Sequence, residues 1–107
     1  MSSNQILVIS LLDLLKSSME EQNREVFFNK YYQLRNLSID KTSPKIISNY
    51  KNVLKKGILL FNQDRNYNSV LSAVISLSYY LVPVEFFDAE MYAILDQCYN
   101  LPDARVK

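Results

Sequence analysis

A single glycine and three prolines are spread over the 107 residues of this chain. Proteins built from strands need such residues at the turns between successive strands. A chain with so few of them has few tight turns, so we expect long helices. The sequence therefore predicts an all-α protein, and its length fits one domain around a single core.

Apolar residues that recur at helical spacing divide the chain into five segments. The predicted helices cover about residues 4–22, 24–36, 44–62, 68–81 and 88–100. The third has the clearest start, because Ser43 is a favoured N-cap and Pro44 suits the first helical position. Asn66 or Asn68 is expected to cap the fourth. The first helix is predicted to turn six apolar residues inward: Leu7, Val8, Leu11, Leu12, Leu15 and Met19.

An uncharged run covers residues 70–82. A transmembrane helix needs about 20 apolar residues, so this run is too short to span a bilayer. A helix that is apolar on all sides is simply explained when other helices surround it. We therefore expect helix 68–81 to be the central helix of a compact bundle, with Gly57 of the third helix allowing close approach of a neighbouring helix.

Tyrosine is the enriched aromatic residue, with eight copies and no tryptophan in the chain. Two adjacent pairs occur, Tyr31 with Tyr32 and Tyr79 with Tyr80. Neighbouring side chains on a helix point about 100° apart, so the members of a pair cannot both face one core. At least one tyrosine of each pair is expected near the surface.

The chain contains no histidine. This excludes histidine-based nucleophile systems and most zinc sites. One glycine cannot form the glycine-rich loops that hold phosphates. The carboxylates near one another in sequence are explained as helix caps and solvated faces. We therefore expect a protein that is not an enzyme and has no cofactor or metal.

Cys98 is the only cysteine, so no intramolecular disulfide can form. Its apolar neighbours favour a buried thiol that serves as a small core residue. The apolar N-terminal stretch has no basic segment before it and is interrupted by Asp13, which argues against a signal peptide. A cytoplasmic location is the expectation.

Charge is segregated along the chain although the formal net charge is only +1. Residues 41–65 hold six basic residues and one acidic residue, whereas residues 66–107 hold five acidic residues and two basic ones. The acidic end predicts one candidate binding face, for a basic protein partner. That face would comprise Glu85, Asp88, Glu90, Tyr92, Asp96 and Tyr99. The common alternative is that these acidic side chains are simply exposed to solvent and have no binding role.

The basic segment predicts a second candidate face, on the third helix. Its lysines could neutralise phosphates of a nucleic acid. These are Lys45, Lys51, Lys55 and Lys56. This set contains no arginine to read guanine, and the sequence pI of about 7.8 does not favour nucleic acid as the partner, so a solvated face is the simpler interpretation. A structural subunit or a homodimer is a third alternative.

The segment LLDLLKSSMEEQNREVFFNKYYQLRNL is similar to the first two helices of colicin-type immunity proteins in the spacing of its apolar and polar residues. The layout of the whole chain also resembles the helical-bundle immunity proteins of class IIa bacteriocins. Such a resemblance implies a cytoplasmic bacterial protein that neutralises a cognate toxin by binding it or its receptor complex. Basic toxins such as nucleases would suit the acidic face. These families have no strict motif, so the resemblance transfers no individual functional residue.

Overall fold

Five α-helices form the protein in a computed structural model, which describes residues 3–37 and 43–99. The helices are α1 (Ser3–Glu20), α2 (Arg24–Arg35), α3 (Pro44–Gln63), α4 (Asn68–Leu81) and α5 (Ala89–Tyr99). Short 3-10 turns, Arg65–Tyr67 and Val84–Phe86, precede α4 and α5. The predicted all-α bundle is confirmed. The predicted helix ends agree within two residues, and residue 100 lies outside the described ranges.

Side-chain caps determine where the helices begin. Asn23 Oδ1 accepts the backbone N–H of Val26 at 3.2 Å, and Ser43 Oγ accepts that of Ile46 at 3.2 Å. The expected asparagine cap of α4 is wrong. Asp64 instead caps the preceding 3-10 turn, because its side chain accepts the N–H of Asn66 at 2.9 Å. This turn leads the chain directly into α4 without a separate side-chain cap.

Helices α3 and α4 supply most of the core. The α3 helix contacts α1, α4 and α5, while α4 contacts α2 and α3. The α4 helix is buried on most of its surface, as predicted from its lack of charge. Its buried residues are Val70, Leu71, Ala73, Val74, Ile75, Leu77, Ser78 and Leu81. None of the helices in the described ranges is both long and apolar enough to cross a membrane.

One predicted core residue of α1 is wrong. Val8, Leu11, Leu12, Leu15 and Met19 are buried, but Leu7 is exposed. On a helical wheel of about 100° per residue, Leu7 lies roughly 95° from the centre of the buried stripe. It shares the outward face with Leu14, which is also exposed.

Both tyrosine pairs divide between core and surface, as predicted. Tyr32 is 60% exposed and Tyr79 is 70% exposed, whereas Tyr31 and Tyr80 are half-buried. The hydroxyl groups of the two half-buried tyrosines, Tyr31 and Tyr80, form hydrogen bonds with other parts of the bundle. Tyr31 shares a 2.9 Å hydrogen bond with Ser76 of α4, and Tyr80 donates to the backbone carbonyl of Leu37 after α2. These bonds join α2 to α4.

Candidate functional site

The two oppositely charged segments meet where α5 lies against α3. Lys51 Nζ lies 2.7 Å from Asp88 Oδ2 and 2.9 Å from Glu90 Oε1. Lys55 Nζ lies 3.4 Å from Glu90 Oε2. We call these four side chains the charge bridge. Two of the acidic residues predicted to bind a basic protein are therefore paired with two of the lysines predicted to bind nucleic acid.

The charge bridge follows from local helix geometry. Lys51 and Lys55 are four residues apart, so they lie on one flank of α3. Asp88 precedes α5 as its N-cap, with Oδ1 accepting the N–H of Met91 at 2.8 Å while Oδ2 accepts from Lys51. Lys51 is covered by α5, and only 12% of its side chain is exposed. Its stem is buried while its ammonium group reaches the carboxylates.

Hydrogen bonds across the bridge stabilise its charged forms. The pKa of Lys51 is raised by its hydrogen bonds to Asp88 and Glu90. The pKa of Asp88 is lowered by the hydrogen bond from Lys51 and then by that from the Met91 N–H. The pKa of Glu90 is lowered mainly by the same lysine. The bridge thus contains two positive and two negative side chains at neutral pH, and its formal charge is zero.

Two grooves flank the charge bridge, each with a volume of about 350 Å³. The first groove lies beside the start of α3 and is bordered by Pro44, Ile47 and Phe86. The second groove lies between the later part of α3 and α5, and is bordered by Ile58, Leu59 and Ile94. We call the charge bridge and both grooves together the α3–α5 seam.

An apolar side chain stands exposed at each groove. Phe86 is 48% exposed at the first groove, and Leu59 is 50% exposed at the second. Sequence reasoning missed both residues. The adjacent pair Phe86–Phe87 was the available signal for the first, by the rule applied to the tyrosines. For the second, the signal was an apolar residue outside the main apolar stripe of α3.

The predicted acidic and tyrosine-bearing face is divided. Glu90 points to α3, whereas Tyr92 lies edge-on to Phe87 with ring centroids 5.5 Å apart. Residues two apart on a helix point about 200° away from each other, so Glu90 and Tyr92 do not share a face. Glu85 and Asp96 are exposed. Tyr99 ends α5, and its side chain lies outside the described part of the structure.

The predicted basic face is divided as well. Lys56 faces α1, where its Nζ lies 3.7 Å from Glu20 Oε2, while Lys51 and Lys55 face α5. Lys45 is exposed, and it forms no ion pair with the residues that the structure describes. A nucleic acid would have to compete with the protein's own carboxylates for three of the four lysines. This geometry does not favour a phosphate-binding surface.

Aromatic rings rather than carboxylates hold the arginines of the described ranges. The guanidinium carbon of Arg24 lies 4.4 Å from the ring centre of Tyr67, and that of Arg65 lies 4.5 Å from the ring centre of Phe61. Arg35 lies 5.3 Å from the ring centre of Tyr80 and donates to the hydroxyl of Tyr31 at 3.0 Å. These arginines stabilise contacts within the bundle.

The α3–α5 seam is described by its own residues, without a matching protein beside it. Its geometry offers a neutral set of ion pairs whose side chains help to line two open, partly apolar grooves. No protein-family model matches the chain, and neither a curated protein nor a solved structure matches it.

Proposed function

We propose that the protein is a non-enzymatic protein-binding module whose partner docks along the α3–α5 seam. The observation that supports this most is the exposure of Phe86 and Leu59 beside two open grooves that are lined by both apolar and polar side chains. Large apolar side chains in such positions are the typical anchors of protein interfaces. Polar groups between them supply orientation rather than most of the binding free energy.

The most specific form of this proposal is an immunity or inhibitor protein that protects a bacterial cell by binding a cognate toxin or a bacteriocin-receptor complex. Its support is the resemblance of the first two helices to immunity proteins, together with the exposed apolar side chains of the seam on a helical bundle. Asp88 and Glu90 are already paired with lysines. The seam therefore favours a partner that offers apolar anchors over one that offers only positive charge.

The test uses the polypeptide encoded immediately upstream of this protein's gene. Cells that express this polypeptide alone are expected to stop growing, and co-expression of the wild-type protein is expected to restore growth. The two purified proteins should elute together in size-exclusion chromatography. Failure of both assays would rule out this polypeptide as the toxin and remove the support for the immunity assignment.

Matched variants then test the surface. Phe86→Ala and Leu59→Ala each remove one exposed apolar side chain of the seam, and each should weaken the complex at least tenfold if it is an anchor. Tyr32→Ala is the control, because Tyr32 is at least as exposed as Phe86 and Leu59 but belongs to α2. Equal binding by all three variants would place the interface elsewhere.

A steep salt dependence of DNA binding in a filter assay would instead support the nucleic-acid alternative.

A further inference from the structure

The α5 helix is attached to the bundle by a small contact. It has 11 residues, a length at which an isolated helix is marginal in water. Its buried side chains are Met91, Ile94, Leu95 and Cys98. The two open grooves lie along its contact with α3, so this contact is incompletely packed. Helix formation in α5 therefore depends on docking against α3.

The charge bridge acts at the N-terminal end of this attachment. Asp88 both caps α5 and accepts a hydrogen bond from Lys51, so one side chain joins the start of the helix to α3. Glu90 adds a second bond to the same lysine. Loss of Lys51 would remove both of these links at once, while the longer Lys55–Glu90 contact and the apolar contacts of α5 would remain.

The rest of the bundle is held together without α5. The hydroxyl of Tyr50 on α3 bonds to the backbone of Val74 on α4, and Tyr31 on α2 bonds to Ser76 on α4. Helix α1 lies against both α2 and α3. Regions with few buried contacts open at lower free energy than the core they lie on.

We propose that α5 detaches from α3 as a unit while α1 to α4 stay folded, and that the charge bridge controls how often this happens. Opening would uncover the apolar strip of α3 that borders the seam, including Ile47 and Ile58. The exposed area available to a partner would then be larger than the two grooves of the closed form. This inference concerns the isolated protein and does not depend on the proposed function.

Cys98 is a built-in reporter of this opening. It is the only cysteine of the chain, and its side chain is fully buried. Burial raises the pKa of its thiol to about 11, so it is protected from reaction while α5 is docked. Cys98 lies about 12 Å along the helix axis from Glu90. Fraying of the last turn would expose Cys98 but would not depend on Lys51.

The experiment measures the rate at which the disulfide reagent DTNB labels Cys98 in the full chain under native conditions. Lys51→Met removes the ammonium group and keeps an apolar stem, and Asp88→Asn removes one charge but keeps a capping oxygen. Lys56→Met is the control, because Lys56 pairs with Glu20 of α1. Each rate is divided by the rate of the same variant in denaturant.

We expect labelling to be roughly three to ten times faster in Lys51→Met and to increase in Asp88→Asn, as is usual for the loss of exposed ion pairs. The Lys56→Met rate should equal that of the wild type. Added sodium chloride should accelerate labelling of the wild type more than that of Lys51→Met, because salt screens the bridge and only the Lys55–Glu90 pair remains in the variant. Equal rates in Lys51→Met and Lys56→Met would show that only the last turn frays, and would overturn the proposal.

Urea distinguishes local opening from global unfolding. Detachment of α5 exposes little surface, so the labelling rate at low urea should rise much less steeply than the unfolding equilibrium constant measured by circular dichroism. If both quantities have the same urea dependence in the wild type and in Lys51→Met, Cys98 becomes accessible only when the whole protein unfolds. That result would also overturn the proposal.

Discussion

The hydroxyl of Tyr50 donates a 2.7 Å hydrogen bond to the backbone carbonyl oxygen of Val74, in the middle of α4. The ring of Tyr50 is fully buried, and burial raises the pKa of its hydroxyl far above the usual value, so the hydroxyl remains a donor at physiological pH. Tyr50→Phe should lower the free energy of unfolding by about 1 kcal/mol, because it removes one buried hydrogen bond and keeps the ring. Urea denaturation followed by circular dichroism measures this. An unchanged midpoint would contradict the role of this bond.

Tyr31 and Tyr32 form a matched pair for testing the hydroxyl bonds between α2 and α4. The hydroxyl of Tyr31 bonds to Ser76 and accepts from Arg35, whereas that of Tyr32 makes no hydrogen bond with the residues described. Tyr31→Phe is expected to lower the free energy of unfolding by about 1 kcal/mol. Tyr32→Phe should change it by less than about 0.5 kcal/mol. Equal effects in the same urea assay would show that the contact with Ser76 does not stabilise the bundle.

Gly57 is expected to be a position where alanine improves stability. The approach of α4 to α3 leaves room for one methyl group, since a Cβ on Gly57 would lie 3.4 Å from Leu71 Cδ1 and 3.8 Å from Val74 Cγ2. Alanine is about 1 kcal/mol better than glycine inside a helix. Gly57→Ala should therefore raise the free energy of unfolding by about 0.5–1 kcal/mol. Gly57→Leu is the contrasting variant, and overpacking should lower the melting temperature.

Acid should weaken the attachment of α5. The folded-state pKa values of Asp88 and Glu90 lie below their usual values, so their contribution to stability is present at neutral pH. It is lost as the pH falls below the ordinary pKa values of these carboxyl groups towards their lowered folded-state values, where the folded protein binds protons there as well. Asp88→Asn should therefore destabilise the protein at pH 7 and have a smaller effect at pH 3.

Unfolding of wild type and Asp88→Asn at both pH values checks this expectation. The same comparison in the Lys51→Met background is the control, because the lysine that lowers the pKa of Asp88 is then absent. The effect of Asp88→Asn should depend less on pH in that background. An equal pH dependence in both backgrounds would show that Lys51 does not set the ionisation of Asp88.

The local parts of this fold could be predicted from the sequence. Ser43 caps α3 as expected, since a cap depends only on residues within one turn, and Asn23 and Asp88 cap α2 and α5 in the same way. The division of the tyrosine pairs follows from the helical repeat alone. The exposure of Leu7 could not be predicted, because residues at the edge of an apolar stripe are buried or exposed according to the position of the neighbouring helix.

The charge bridge was beyond sequence reasoning for a physical reason. Lys51 and Asp88 are 37 residues apart, and their contact depends on how α5 lies across α3. A helical wheel separates the polar side of α3 from its apolar side. It cannot distinguish a lysine that faces solvent from a lysine that faces the carboxylates of another helix. The sequence alone therefore predicts separate surfaces for the acidic and basic segments.

Because Lys51 and Lys55 already neutralise Asp88 and Glu90, the seam projects only a weak electrostatic field into solution. Strong fields accelerate the encounter of oppositely charged proteins, and their effect declines steeply with salt. A partner that docks on this seam should instead associate at about 10⁵–10⁶ M⁻¹s⁻¹, the range for encounters without steering. Its association rate should change little with ionic strength, so the lifetime of the complex, rather than the speed of its formation, would determine its affinity.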